Sequence, residues 1–385
     1  MAKSLLPYGK QWIDKDDVRG VVRTLQSDFI TQGPRIEEFE RRIADFCGAR
    51  YAVAYSSGTA ALHAASYAID LGQGDEAITS PISFIGTANA IVFQRARPVF
   101  ADIELDTVNL DPSEVEKRIT SRTKAIFAVD FAGHPAPLRE LKRIAKAKGL
   151  YVVEDAAHAL GAKYHGRRVG ALSDISIFSF HPVKHITTGE GGMALTNNAK
   201  LCRRLRLFRN HGMVRSDELS EKHGPWYYAM EDLGYNYRVS DIQCALGLSQ
   251  FRKVERFLRL RRKLAASYLK KLKGVSGIIL PKEKMGIESS YHLFVIQLKT
   301  ALKAQRRILF EEMRRRGIGV NVHYIPIHLQ PYYIKNFAYK AGDYPNAELY
   351  YSRALTLPLF PAMRERDVDQ VVQVLVKSLA GLRSA

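Results

Sequence analysis

Between Tyr51 and Thr196 short apolar, β-branched runs alternate with helical patterns, and no other feature limits the fold of this chain as much. "YAVAY" (Tyr51–Tyr55), "EAITS" (Glu76–Ser80), "RPVFADI" (Arg97–Ile103), "KAIFAVD" (Lys124–Asp130), "YVVED" (Tyr151–Asp155), "ISIFSF" (Ile175–Phe180) and "GGMALTN" (Gly191–Asn197) read as strands. Thr59–Ile69, Thr87–Gln94 and Pro137–Gly149 read as helices between them, the last ended by its glycine. This alternation predicts an α/β fold on a buried, mostly parallel sheet. Ligands of such open sheets sit beyond the carboxyl ends of the strands. Four strand ends therefore matter most: Ser56–Thr59, Ser80–Phe84, Asp155–His158 and Ser179–Lys184.

After about residue 245 the texture changes. Long basic helical patterns (Ser249–Leu272, Leu302–Arg316) surround two strand candidates, Tyr291–Leu298 and Gly319–Ile325, and a helix over Glu365–Leu379 follows. At 385 residues the chain exceeds one minimal domain. The expected division is a large domain with its N-terminal segment over 1–240 and a smaller α+β domain over 241–385.

The formal net charge of +19 raises the question of a nucleic-acid partner. The basic residues are spread, however, and clusters such as Arg252–Gly274 and Glu311–Gly317 lie on amphipathic helical patterns. A solvated helix face is the simpler reading, with a positive field that favours anionic small molecules. Cys47, Cys202 and Cys244 stand far apart and give neither a disulfide framework nor a metal-binding spacing. The N-terminal stretch has no apolar core of signal-peptide length, and no run is long enough to span a membrane. The expectation is a cytoplasmic protein without a metal.

"YSSGTAAL" (Tyr55–Leu62) places Ser57, Gly58 and Thr59 at a strand-to-helix turn. Such a helix start stabilises a phosphate, although Thr59 can equally be an N-cap. "VVEDAAHA" ends an apolar strand at Asp155, with His158 three residues on. An acid at a strand end serves as a cap or solvated loop residue as readily as it faces a ligand. "FSFHPVKHITTGEGG" follows, with Lys184 29 residues after Asp155. Pro182 forces an extended or turn geometry before the lysine, and the glycines after it allow close approach. In a chain with 58 lysines and arginines a solvated surface role is the ordinary reading. The combination nevertheless has the layout of a pyridoxal phosphate enzyme: a phosphate-binding turn, a strand-end aspartate, then a lysine preceded by a serine. A lysine holds that cofactor as a Schiff base, and an acid pairs with its pyridinium nitrogen. The amine must be a neutral nucleophile. The carboxylate keeps the ring nitrogen protonated.

These residues, with "YGKQWIDKDDV", "TQGPRIEEFE", "SPISFIGTANAI", "LFRNHGM", "GYNYRVSDIQCALGLSQ" and "VHYIPIHLQPYY", make the chain resemble the DegT/DnrJ/EryC1/StrS family of nucleotide-sugar aminotransferases. The resemblance covers nearly the whole chain. It implies the aspartate aminotransferase (type I) fold and pyridoxal 5'-phosphate as cofactor. Lys184 becomes the Schiff-base lysine and the proton carrier between substrate carbon and cofactor, and Asp155 the partner of the pyridinium nitrogen. His158 takes the place near the ring's phenolic oxygen, and Phe84 stacks on the ring. Gly58, Thr59 and Ser179 hold the phosphate, with Ser57 close by. Asn236 reaches it from the neighbouring subunit, which implies a homodimer with shared active sites. Arg238 is a candidate for an acidic group of the substrate. His181 and His185 carry no assignment.

Within the family, "YGKQWID", "SDFITQG", "SPISFIGTANA", "SFHPVKHITTGEGG" and "VHYIPI" resemble the aminotransferases of pseudaminic acid biosynthesis. That likeness implies amino transfer from L-glutamate to C4 of a UDP-linked 4-keto-6-deoxy-N-acetylhexosamine. Tyr8, the stretch Asp28, Phe29, Ile30 and Thr31, and the stretch His323, Tyr324, Ile325 and Pro326 would contact the sugar nucleotide. The alternatives are a C3 or C4 aminotransferase for another UDP- or dTDP-keto sugar, a sugar dehydratase of the same fold, and a basic nucleic-acid-binding regulator. The known dehydratases carry histidine where this chain has Lys184. No helix-turn-helix or aromatic-basic RNA motif supports the regulator.

Overall fold

A computed structural model describes residues 5–383. Its centre is a seven-stranded sheet of β1 (Tyr51–Tyr55), β2 (Glu76–Thr79), β3 (Arg97–Phe100), β4 (Thr123–Val129), β5 (Tyr151–Asp155), β6 (Ile175–Ser179) and β7 (Gly192–Thr196). The spatial order is β1-β7-β6-β5-β4-β2-β3. β3, β2, β4, β5 and β6 run parallel, and β7 is antiparallel to both of its neighbours, β1 and β6.

Side chains alternate across each strand, so both sheet faces need cover. One face, with Val53, Tyr55, Phe127, Val153 and Ile177, packs against the helices Gly58–Ala68, Gly86–Phe93 and Ala199–Arg209. The other uses Ile78, Ile126 and Val152 against helix Leu138–Lys148, and Ala52, Phe178 and Met193 against helix Pro34–Cys47. The α/β expectation therefore holds, with most strand ends within a residue or two of the expected ones. Gly149 ends helix Leu138–Lys148 in the left-handed region, at φ 68°.

A second core gathers a three-stranded antiparallel sheet (Ile278–Ile279, Phe294–Leu298, Ala354–Leu357) and the helices Val254–Leu272, Arg306–Arg315 and Glu365–Arg383. Helix Val254–Leu272 belongs to both cores. Val254, Phe257 and Leu258 pack with the large one, and Leu264, Ala265, Tyr268 and Leu272 with the second.

The chain departs from expectation in several places. The pattern Ser249–Leu272 is two helices, Asp241–Phe251 and Val254–Leu272, because the helix breaks at Arg252–Lys253. Gly319–Ile325 is not a strand. Among the described residues its neighbourhood pairs only through the bridges Leu6↔Ile318 and Asn321↔Thr356, and Gly319 runs against the backbone of Leu6–Tyr8. The N-terminal helices Lys15–Leu25 and Pro34–Cys47 are additional, the first begun by a capping box between Asp14 and Asp17.

Candidate active site

The strand ends β1, β5 and β6 open into one cavity of about 670 Å³. At the end of β1 the Ser57 hydroxyl caps helix Gly58–Ala68 by accepting from the Ala60 N–H. The N–H groups of Gly58 and Thr59 have no acceptor among the described residues. They are the free donors of a helix start, where an anion is stabilised. A Cβ on Gly58 would lie 3.1 Å from the Ser179 Cβ, so any larger residue would press the turn away from β6 by a few tenths of an ångström. Gly192 has the same function from below, since a Cβ there would come within 2.3 Å of the Ser57 carbonyl oxygen. Serine hydroxyls and bare N–H groups thus form a small polar cradle that suits a phosphate.

Asp155 closes β5. Its Oδ2 accepts from the Thr87 hydroxyl at 2.5 Å and its Oδ1 from the Ala157 N–H at 3.2 Å. Burial raises its pKa above the ordinary carboxylate value, and Lys184 opposes the rise. Lys184 sits in the loop after β6 and lines the same cavity. Burial is the main cause that lowers its amine to about 8, Asp155 acts against the shift, and Arg261 adds to it. A far larger share of free amine is present near neutrality than in an ordinary lysine.

Four histidines surround this pair. The His158 Nε2 lies 3.2 Å from the Tyr324 hydroxyl, and its ring is 4.3 Å from that of His292. His292 lies 5.5 Å from His185, whose Nε2 faces the Ser290 carbonyl. Burial drives all three well below the usual imidazole range and His323 to about 4. They are neutral near pH 7, and the Nδ1 atoms of His158, His185 and His292 are buried without a partner. Phe84 is 57% exposed and lines the cavity across from Tyr324, with ring centroids 6.5 Å apart.

The cavity brings together Tyr8, Ser57, Gly58, Thr59, Phe84, Asp155, His158, Ser179, Lys184, His323 and Tyr324. It does not reach the remaining sequence candidates within one chain. Asp28, Phe29, Ile30 and Thr31 lie exposed on another part of the surface, where Thr31 bridges to Ser240. Asn236 is exposed and bridges to Asn210. Ile325 and Pro326 follow Tyr324 but do not line the cavity. Arg238 donates to the Asn210 side chain at 2.6 Å and lines a separate, arginine-rich cavity of about 610 Å³. Thr87, His292 and Asn321 line the site without having been singled out in the sequence. Thr87 enters the site through its contact with Asp155, 68 residues away in the sequence. Nothing local marks His292 or Asn321.

The residues present fit pyridoxal phosphate: a cradle for the phosphate, a buried carboxylate and an amine of lowered basicity line one cavity. The comparisons agree. The chain matches the DegT/DnrJ/EryC1/StrS aminotransferase family over residues 11–376. It is 39% identical over 373 residues to the spore coat polysaccharide biosynthesis protein SpsC of Bacillus subtilis, covering 96% of each chain. Helicobacter pylori PseC, described as an aminotransferase involved in the biosynthesis of pseudoaminic acid, superposes with a TM-score of 0.92 at 32% identity. The match covers 98% of this chain and 100% of that one. The PLP-form of the putative sugar aminotransferase Spr1654 from Streptococcus pneumoniae gives 0.92 at 29% identity, covering 98% and 99%. The chain belongs to the DegT/DnrJ/EryC1/StrS family and is a sugar aminotransferase of the type I fold, with pyridoxal 5'-phosphate as its cofactor.

Proposed function

We propose that the protein moves an amino group from L-glutamate to C4 of a UDP-linked 4-keto-6-deoxy-N-acetylhexosamine, as in pseudaminic acid biosynthesis, and does so as a cytoplasmic homodimer. The observation that carries amino transfer is the Lys184 amine, lowered to about 8, sharing one cavity with the buried Asp155 carboxylate. The finer substrate reading is supported by the sequence segments shared with the pseudaminic acid group and by the likeness to PseC.

Bound pyridoxal phosphate supplies the imine-forming carbonyl and a ring that accepts electrons from the substrate carbon. In this reading the Gly58 and Thr59 N–H groups and the Ser57 and Ser179 hydroxyls bind its phosphate, joined by Asn236 of the partner subunit. The Asp155 carboxylate, oriented by the Thr87 hydroxyl, holds a proton on the ring nitrogen. Phe84 would pack on the cofactor ring and His158 would lie near its phenolic oxygen. The Lys184 amine would carry the proton between the donor's α-carbon and the cofactor side. The same amine serves in the opposite direction when the keto sugar is the acceptor. Tyr8, His323 and Tyr324 face the sugar from the same chain. Asp28, Phe29, Ile30 and Thr31 reach it from the partner subunit, and Ile325 and Pro326 shape the rim.

The test is amino transfer from L-glutamate to a panel of UDP- and dTDP-linked 4-keto and 3-keto sugars, followed by mass spectrometry. The expected result is selective amination of the UDP-4-keto-N-acetylhexosamine. Preference for a dTDP sugar or a 3-keto sugar would overturn the substrate and leave the transaminase intact. Loss of water from the sugar without amination would favour a dehydratase.

A further inference from the structure

Arg261 is 1% exposed and ranks among the largest fully buried side chains. Burial alone accounts for the lowering of its pKa to about 10, so it remains a cation near neutrality. A buried charge usually has a counter-ion. Among the described residues, Arg261 instead donates to backbone carbonyls alone. Its Nη1 reaches Leu359 at 3.0 Å, His292 at 3.2 Å and Tyr291 at 3.4 Å, and its Nη2 reaches Val183 at 3.4 Å.

Those carbonyls come from three segments that build the cavity. Val183 precedes Lys184 and, like His292, lines the site. The Leu359 N–H donates to the carbonyl of Tyr8, another lining residue. Arg261 also stands on helix Val254–Leu272 between its contacts with the large core and those with the second core. One rigid guanidinium therefore ties the lysine loop to both cores.

The charges acting on the Lys184 amine are few. Asp155 favours its protonated form and Arg261 disfavours it. His158, His185, His292 and His323 are held neutral by burial. We infer that Arg261 is a positioning residue of the amino-transfer site. It fixes the Lys184 loop and provides the positive field that opposes Asp155 at the Lys184 nitrogen. The inference rests on the reading of Lys184 as the cofactor-bearing lysine.

The experiment titrates the visible absorbance of the full-length holoenzyme with pH for the wild type, Arg261→Gln and Arg261→Lys. Cofactor retention is measured by dialysis of the same samples. Without the buried charge, the titration midpoint of the lysine-bound cofactor in Arg261→Gln should rise by about one pH unit. Arg261→Lys keeps the charge but cannot span the four carbonyls. Its midpoint should stay near that of the wild type while cofactor binding weakens about tenfold. An unmoved midpoint in Arg261→Gln, or an equal rise in both variants, overturns the inference. If Arg261→Gln does not fold, Arg261→Lys decides alone: a raised midpoint or unchanged cofactor retention overturns it. Borohydride trapping and peptide mapping run in parallel. Cofactor on another lysine would remove the reading of Lys184 itself, whereas cofactor on Lys184 with an unmoved midpoint removes only the role of Arg261.

Discussion

At the scale of single residues, the Asp155 carboxylate depends on a short chain of hydroxyls. Ser83 and Thr87 lie 2.7 Å apart, and the Thr87 hydroxyl reaches the Asp155 Oδ2. With Ser83 donating to Thr87, the Thr87 proton is free to point at the carboxylate. Thr87→Val keeps the shape and removes this donor, leaving the Ala157 N–H as the remaining hydrogen bond to that carboxylate. The expected outcome is a fall in kcat of about tenfold, on the scale of one lost charge-assisted hydrogen bond. Cofactor affinity should weaken with it, and Thr87→Ser should recover most of both. Steady-state kinetics and a cofactor titration check this, and an unaffected Thr87→Val enzyme would separate Thr87 from the site. Asp155 and Lys184 were legible in the sequence because a strand end and a proline-bounded loop fix where they point. Thr87 was not, because its importance comes from packing against a strand 68 residues away.

At the scale of elements, β4 and β5 carry a second acidic pair away from the proposed cofactor contacts. Asp130 follows β4 and Glu154 precedes Asp155 on β5, so Glu154 and Asp155 project to opposite faces of the sheet. Glu154 accepts from the Ser176 hydroxyl at 2.6 Å and Asp130 from the Ala136 N–H at 2.8 Å. Both side chains are fully buried, and the Asp130 Oδ2 and Glu154 Oε1 atoms have no hydrogen-bond partner among the described residues, an arrangement that a proton shared between the two carboxyls would satisfy. Burial, and then the neighbouring Glu154, push the Asp130 pKa well above the ordinary carboxylate range. The sign follows from linkage: the unfolded chain releases this proton at lower pH than the folded one. The pair's contribution is fully present below the unfolded value and is lost as pH rises through the folded one. Asp130→Asn can still donate to Glu154 and has no such loss. Its melting temperature should exceed that of the wild type by about 2 °C at pH 8, with a smaller gap at pH 5. Scanning calorimetry at both values checks this, and a gap independent of pH would rule out the shared proton. The strands of the large sheet could be read as short continuous apolar, β-branched runs because both of their faces are buried. Gly319–Ile325 could not, since its apolar alternation is satisfied by Leu6–Tyr8 and Thr356 rather than by a neighbouring strand.

At the scale of the whole molecule, the surface of one chain leaves a question that the cavity does not answer. Phe29 is 56% exposed, Ile30 49%, Trp226 74%, Met230 61% and Leu233 68%, well above what isolated side chains on a monomer surface need. The same segments carry Asp28, Thr31 and Asn236, which the resemblance assigns to the site and which one chain does not bring there. The homodimer proposed above would account for both facts: a second copy would cover the segments, and they would complete its cavity. A two-fold interface would deliver each Asn236 to the partner's cradle and bury both apolar sets together. This yields a prediction that needs no knowledge of the sugar. Lys184→Ala and Asn236→Ala each disable transfer when prepared alone. Unfolded together and refolded as a mixture, they form hybrid dimers in which one site carries both lesions and the other carries neither. Random pairing makes about half of the dimers hybrids, so about a quarter of the wild-type turnover should return. Recovery of that size, measured with glutamate and the keto sugar against each variant refolded separately, would locate Asn236 across the interface. A mixture no more active than its parents would place each site within one chain.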